Sequence, residues 1–279
     1  MDKINGLPDD LLVKILSYVP TDIAVSTSIL SKRWEFLWMW LPNLDYTSRW
    51  CRKPGDVGLR DFIHKNLPLH RAPVIESLRF HSNSPDIKPE DIRRWIEIAV
   101  SRHVHDLDID HFSENENIFL SSFFACKSLV TLKLRSVTLR DIPSMDGYGD
   151  GFVFNQLEHL TLCVCRGDSP SLLGQLLKDS PNLRILEISV MEDHVDDVGI
   201  SLDGWNQPSS VPECLLSSLQ IFKWPQYLGR PEDRDIAVYI LKNARHLKKT
   251  TILADRCERF VTQRRMIKEL LQALPARIC

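Results

Sequence analysis

Residues 129–134 read "LVTLKL", and residues 157–162, 28 positions later, read "LEHLTL". Both follow one pattern, apolar-x-x-apolar-x-apolar. Successive side chains of an extended chain point to opposite faces, so the last two apolar residues of each motif share a face and the x between them points away from it. The pattern returns as "IESLRF" from Ile75, "VHDLDI" from Val104, "LRILEI" from Leu183, "LQIFKW" from Leu219 and, degraded, "LKKTTI" from Leu247. The starts lie 25 to 29 residues apart, with one wider step of 36 between Leu183 and Leu219. A strand motif recurring at about 20–29 residues is the mark of leucine-rich repeats.

Helical patterns fall between the strands. Pro89 opens one, with Ile92, Trp95, Ile96, Ala99 and Val100 at helix spacing; Ser169-Pro170 and Pro231 open two more. The alternation predicts an α/β fold: a curved solenoid of parallel strands with outer helices. A single such unit cannot bury its own apolar face, so stacking makes the core.

The first 45 residues stand outside this period. Leu7-Pro8-Asp9-Asp10 opens a helix, since proline suits the first turn and the carboxylates face the positive end of the helix dipole. Leu11, Leu12, Ile15, Leu16 and Val19 follow at helix spacing until Pro20. Thr21 caps a second short helix through Ile29, and Ser31 a third, on which Leu30, Trp34, Leu37, Trp38 and Leu41 share a side. Three short helices bury too little surface to stand alone, so the large apolar side chains, Trp34 and Trp38 among them, call for cover from a partner or from the first repeat.

These residues are recognisable. The segment from Leu7 to Tyr46, with its Leu-Pro start, Ile15-Leu16-Ser17, the Pro20 break and Leu30-Ser31-Lys32-Arg33-Trp34, resembles an F-box of the kind found in plant F-box proteins with leucine-rich repeats. "HRAPVIESLRF" resembles the start of that family's repeats, and residues 211–252 resemble the FBD domain that ends them. The resemblance implies an F-box over 1–45, a linker over 46–73, leucine-rich repeats over 74–212 and FBD-type repeats over 213–279. It implies a non-catalytic substrate receptor of an SCF-type ubiquitin ligase. Leu7, Pro8, Leu11, Leu12, Ile15, Leu16, Leu30, Ser31, Trp34 and Leu37 match the motif that faces a Skp-type adaptor and, through it, a cullin. Trp38 and Trp40 are expected to pack toward the linker and the repeats. The chain departs from the family in carrying Asp22-Ile23 where a Lys-Asp pair is common. The family pattern also expects a closing strand after the last helix, for which the residues before Cys279 leave little room.

A protein substrate is expected on the concave face, where the x residues of the strands gather: Arg79, Asp108, Asp110, Lys133, Arg135, Thr161 and Glu187. Their mixed signs suit a polar protein partner. The rival reading is a repeat scaffold that binds proteins without engaging a ligase.

Other chemistry finds little support. Asp106, Asp108 and Asp110 begin like a calcium loop, but His111 stands where its glycine belongs and Asn117 where its closing glutamate belongs. His159, Cys163 and Cys165 do not complete a zinc set. Neither a phosphate loop nor a nucleophile elbow is present, so no cofactor, metal or catalytic residue is expected. The net charge of −2 gives no global pull toward nucleic acid, and the basic end (12 Lys/Arg against 6 Asp/Glu from Arg230 onward) is interspersed with acids at helical spacing. No apolar run approaches a membrane span, the N-terminus lacks a secretion signal, and seven scattered cysteines read as reduced thiols of an intracellular protein, nuclear or cytoplasmic.

Overall fold

The computed structural model describes residues 4, 6–47, 58–82, 84–111, 126–135, 153–163, 169–189, 205, 207–254 and 263–273. Their frame is an open sheet of eight strands: β1 (Asn43–Thr47), β2 (Ser77–His81), β3 (Asp106–Asp110), β4 (Thr131–Arg135), β5 (His159–Cys163), β6 (Ile185–Ser189), β7 (Ile221–Tyr227) and β8 (Lys249–Ala254). They lie in chain order, and every neighbouring pair is parallel. The register stacks equivalent motif positions. Leu44, Leu78, Leu107, Leu132, Leu160, Leu186 and Phe222 form one row, none more than 2% exposed. Tyr46, Phe80, Ile109, Leu134, Leu162 and Ile188 form a second buried row two residues on. Between these rows the x residues turn to the other face. The period read from the sequence thus gives both the strands and the side each residue takes.

The connections carry helices whose apolar stripes close the same core. These are α4 (Pro89–Ser101), α5 (Ser169–Asp179), α6 (Glu213–Ser217), α7 (Pro231–Asn243) and α8 (Gln263–Ala273). Ile92, Trp95, Ile96 and Ala99 of α4, Leu172, Leu173, Leu176 and Leu177 of α5, and Ala237, Ile240 and Leu241 of α7 are buried with the strand rows in one cluster. Two of these helices start alike, Lys88-Pro89-Glu90-Asp91 and Arg230-Pro231-Glu232-Asp233. Proline takes the first helical position, where no N–H is needed, and the aspartate three residues past the cap accepts the cap residue's N–H, at 3.0 Å for Asp91 and 3.1 Å for Asp233.

Asp91 carries more than its cap. Arg60 donates to both of its oxygens at 2.6 and 3.1 Å, and the His64 ring meets it at 2.8 Å. Burial alone would raise this carboxyl, but the bonds from Arg60, the Lys88 N–H and His64 outweigh it and hold it at about 2. Asp91→Ala removes the cap and leaves the Arg60 guanidinium and the His64 ring without their partner at the helix start. Because Arg60 stays open to water, its share is discounted, and a loss of about 2 kcal/mol is expected in chemical denaturation, with Asp91→Asn losing less.

The sequence reading needs correction at the N-terminal end. The module begins as expected with α1 (Asp9–Leu16) and α2 (Thr21–Ser26), the latter running into a 3-10 turn at Thr27–Ile29. The third helix does not form: Lys32–Phe36 are turns, followed by a 3-10 turn at Leu37–Trp40. The N–H groups of Trp34, Leu37, Met39 and Leu41 bond three residues back rather than four, and carbonyls at the segment's end bond outside it. Met39 O accepts from the N–H groups of Arg71 and Ala72, Pro42 O accepts from those of Glu76 and Ser77, and Pro42 has no N–H of its own to return. Residues 43–47, assigned by the sequence to the helical module and linker, are instead the first strand. The expected linker holds α3 (Leu59–Asn66) and a 3-10 turn at Leu67–Leu69, with Leu59, Ile63 and Leu67 buried.

At β7 the register to β8 shifts between Trp224 and Tyr227, where Pro225 cannot donate to the ladder. The residues after Ala273, where a closing strand was expected, lie outside those described. Cys126 and Cys214 are buried free thiols. Cys163, expected reduced, is disulfide-bonded.

Candidate docking surfaces

The N-terminal module divides its apolar residues between two jobs. Leu12, Leu16, Ala24, Trp34, Leu37, Trp38, Met39 and Leu41 are buried in the common core. They fix the module to the first strand, aided by Asp45 N–H donating to the Thr21 hydroxyl at 2.9 Å. One helical step away, Leu11 and Ile15 stand 46% and 47% exposed, in line with Tyr18. Leu30 (64% exposed), Ile29 and Phe36 are uncovered on the turns that follow α2. Arg33 brings these turns beside α1: its guanidinium donates to Asp9 Oδ1 at 2.8 Å and also bonds the Leu7 carbonyl.

Of the ten residues expected to face an adaptor, Pro8, Leu11, Ile15, Leu30 and Ser31 are exposed and Leu7 is half-buried. Leu12, Leu16, Trp34 and Leu37 are core residues, none more than 7% exposed. Leu12 and Leu16 lie on the inner side of α1, and Trp34 and Leu37 on the turns packed with it in the same core. Trp38 is buried as expected. Trp40 remains 48% exposed, lining a groove of about 920 Å³ between α1 and the start of the solenoid, with Tyr18, Pro42 and Pro73. Ile29 and Phe36 escaped the sequence reading because they sit in irregular turns, where no period marks a face.

On the strand face away from the core, the central row runs Asp45, Arg79, Asp108, Lys133, Thr161, Glu187, Lys223, Thr251. Its signs alternate, and the charges pair across strands. Arg79 lies 3.6 Å from Asp45 and 3.7 Å from Asp108, and Lys223 lies 3.6 Å from Glu187. Asp108 is the centre of the first group, with His81 Nε2 at 3.1 Å and Arg135 at 3.7 Å. His81 Nε2 and Asp108 Oδ1 face each other outside hydrogen-bond alignment. Burial pushes the Asp108 carboxyl up, but His81, Arg135 and Lys133 prevail and hold it below its ordinary range.

The seven expected substrate residues therefore separate. Arg79, Asp108, Lys133 and Arg135 line one cavity of about 730 Å³, together with Asp45 and His81 and walled on one side by Pro20, Asp22 and Ile23 of the α2 region. Asp110 is half-buried at the end of β3 and does not line this cavity. Thr161 is only 1% exposed, lying between the longer side chains of Lys133 and Glu187 in the row, which removes it from the accessible set. Glu187 lies beyond it, paired with Lys223. Asp106, Asp108 and Asp110 alternate with buried Leu107 and Ile109, as a strand requires. Among the described residues no group of three or more histidine, cysteine or acidic side chains is arranged to hold a metal ion, and no helix is long and apolar enough to cross a membrane.

Three family descriptions match successive parts of the chain: F-box domain over residues 4–46, the leucine-rich repeats of FBD-associated F-box protein At5g56370 over 92–207, and FBD over 207–252. FBD-associated F-box protein At5g38590 of Arabidopsis thaliana is 68% identical, with 100% of each chain covered. That alignment spans 410 positions against the 279 residues here, so about a third of it is matched by no residue of this chain. Putative FBD-associated F-box protein At5g38570 is 45% identical over 97% of this chain and 95% of its own length, and FBD-associated F-box protein At4g10400 is 37% identical over 97% and 96%, both from Arabidopsis thaliana.

Proposed function

Because the chain belongs to the family of FBD-associated F-box proteins, we propose that it is the substrate-recognition subunit of an SCF-type ubiquitin ligase. F-box proteins generally act in this way. The N-terminal module docks a Skp-type adaptor, the adaptor links it to a cullin, and the concave strand face holds a protein substrate. The chain makes and breaks no bond itself. It raises the effective concentration of substrate lysines near a ubiquitin-charged enzyme held by the same assembly. The reading places it inside the cell, in nucleus, cytoplasm or both.

The observation that carries this proposal is the exposed apolar set Leu11, Ile15 and Leu30, with Tyr18, Ile29 and Phe36 also uncovered, on a module whose Leu12, Leu16, Trp34 and Leu37 are already buried. Such side chains, clustered and rimmed by charge, are what a partner's helices would cover. Co-expression of the intact chain with a Skp-type adaptor tests it. A stable one-to-one complex by size exclusion is expected. A folded chain that captures no adaptor would instead favour a repeat scaffold outside any ligase.

A further inference from the structure

We propose that the cavity between the α2 region and strands β1–β4 binds an anionic side chain, carboxylate or phosphate, carried by a peptide segment. That this segment belongs to a ligase substrate rests on the reading above; the chemistry of the cavity does not.

The strand floor of the cavity concentrates basic side chains. Arg79, His81 and Arg135 all lie within 3.7 Å of the Asp108 carboxylate, and Lys133 is its neighbour in register. A single carboxylate cannot saturate them, since each guanidinium has five N–H donors and the ammonium three. The donors are also still open to solvent: the Arg79 and Arg135 side chains are 52% and 34% exposed. Lys133 makes no salt bridge with a described residue.

The acids are more fully used. Asp108 is 13% exposed and faces only basic side chains. Asp45 accepts from the Thr47 N–H at 3.0 Å and from the Thr47 hydroxyl, besides its pairing with Arg79. Asp22 stands across the cavity, on the α2 wall. An incoming anion therefore meets Lys133, Arg135 and the open edge of Arg79, whereas an incoming cation finds Asp108 already surrounded. Asp108 acts as the organiser, holding the cations in place against their mutual repulsion.

The volume and walls fit a peptide better than a lone ion. About 730 Å³ accommodates a side chain with flanking backbone. Ile23, 48% exposed on the same wall as Pro20, offers an apolar contact for a neighbouring residue. Pairs of this kind, half open to water, weaken as salt screens them.

Fluorescence anisotropy on the full chain tests the inference. The probes are labelled alanine-rich heptapeptides whose central residue is phosphoserine, glutamate, glutamine or lysine, each with a leucine beside it. Binding of the phosphoserine or glutamate peptide is expected, with the lysine and glutamine peptides at least tenfold weaker and with affinity falling as salt is raised. Comparison of the phosphoserine and glutamate arms identifies the source of the anion. A Lys133→Gln/Arg135→Gln double variant, shown folded by circular dichroism, is expected to lose at least tenfold, and Lys133→Arg to retain binding. Equal binding of all four peptides, binding of none, or binding that survives the double variant would overturn the proposal. Adaptor capture measured on the same preparations separates the two readings. If capture persists while anion binding is absent, only the cavity assignment falls. Should anionic peptides bind a chain that captures no adaptor, the ligase reading falls and the cavity stands.

Discussion

A Leu11→Asp/Ile15→Asp double variant is expected to lose a Skp-type adaptor in co-purification while keeping the circular dichroism spectrum and thermal midpoint of the parent chain. Both side chains are nearly half exposed on one side of α1, so a carboxylate at either place stays in water and costs the free chain little. In the complex the same carboxylate would be stripped of water against an apolar partner surface. Each interface hot spot is worth about 2 kcal/mol or more, and two of them weaken association by more than about a hundredfold. Leu30→Asp, on the neighbouring turn, is expected to act in the same direction. Leu12→Ala makes a poor probe, because Leu12 is wholly buried and its truncation opens a cavity costing about 2–5 kcal/mol. It would abolish capture by loosening the module and reveal nothing about docking. Undiminished capture by the Leu11/Ile15 variant would place the adaptor elsewhere on the chain.

Mild acid is expected to destabilise the protein through His70. This ring lies 3% exposed just after α3, where the chain turns into the first repeats. Burial lowers its pKa from 6.5 to about 4, and the charge of Arg102 pushes in the same direction. The Leu41 carbonyl opposes both, but it is not aligned for a full hydrogen bond and offsets little. In the unfolded chain His70 takes up a proton near pH 6.5; in the folded chain it does so only near 4. Between these values the unfolded state holds more protons, so stability falls as pH falls. The loss approaches about 3 kcal/mol when the window is fully crossed. His159, whose pKa burial also lowers, adds to the slope with the same sign. Asp91 does not contribute there: its depressed pKa contributes stability above 3.8 that is lost only as pH falls toward about 2. Urea denaturation at pH 7.5, 6.0 and 4.5 would reveal the slope, and His70→Gln should flatten much of it. A parent chain equally stable at all three values would refute the assignment.

The alignment with At5g38590 fits the solenoid's construction. Both chains are covered end to end, so that relative's additional length falls within the span. Units that touch only their neighbours can be added or removed in the interior while the rest of the stack keeps its pairing. The order from β1 to β8 is parallel throughout.

Much of the protein was legible in residue order. The repeat fixed seven strands, their parallel stacking and the face each residue takes, because strand alternation and helix spacing are local periods that any short window displays. The prolines at 89 and 231 marked helix starts for an equally local reason. The block from Leu7 to Trp34 identified the N-terminal module by its order of residue types. Tertiary structure decided the rest. Asn43–Thr47 became a strand only because β2 lay ready to pair with it, and the 3-10 turn over residues 37–40 ends where the Met39 carbonyl bonds partners more than thirty residues away. Which leucines of α1 face outward, and that Thr161 is hidden while Lys133 is not, depends on what each meets across the fold. Arg79, Asp108 and Arg135 stand more than twenty residues apart in sequence and share a cavity through register alone. A period tells a residue which way to point; only packing determines whether anything is there to cover it.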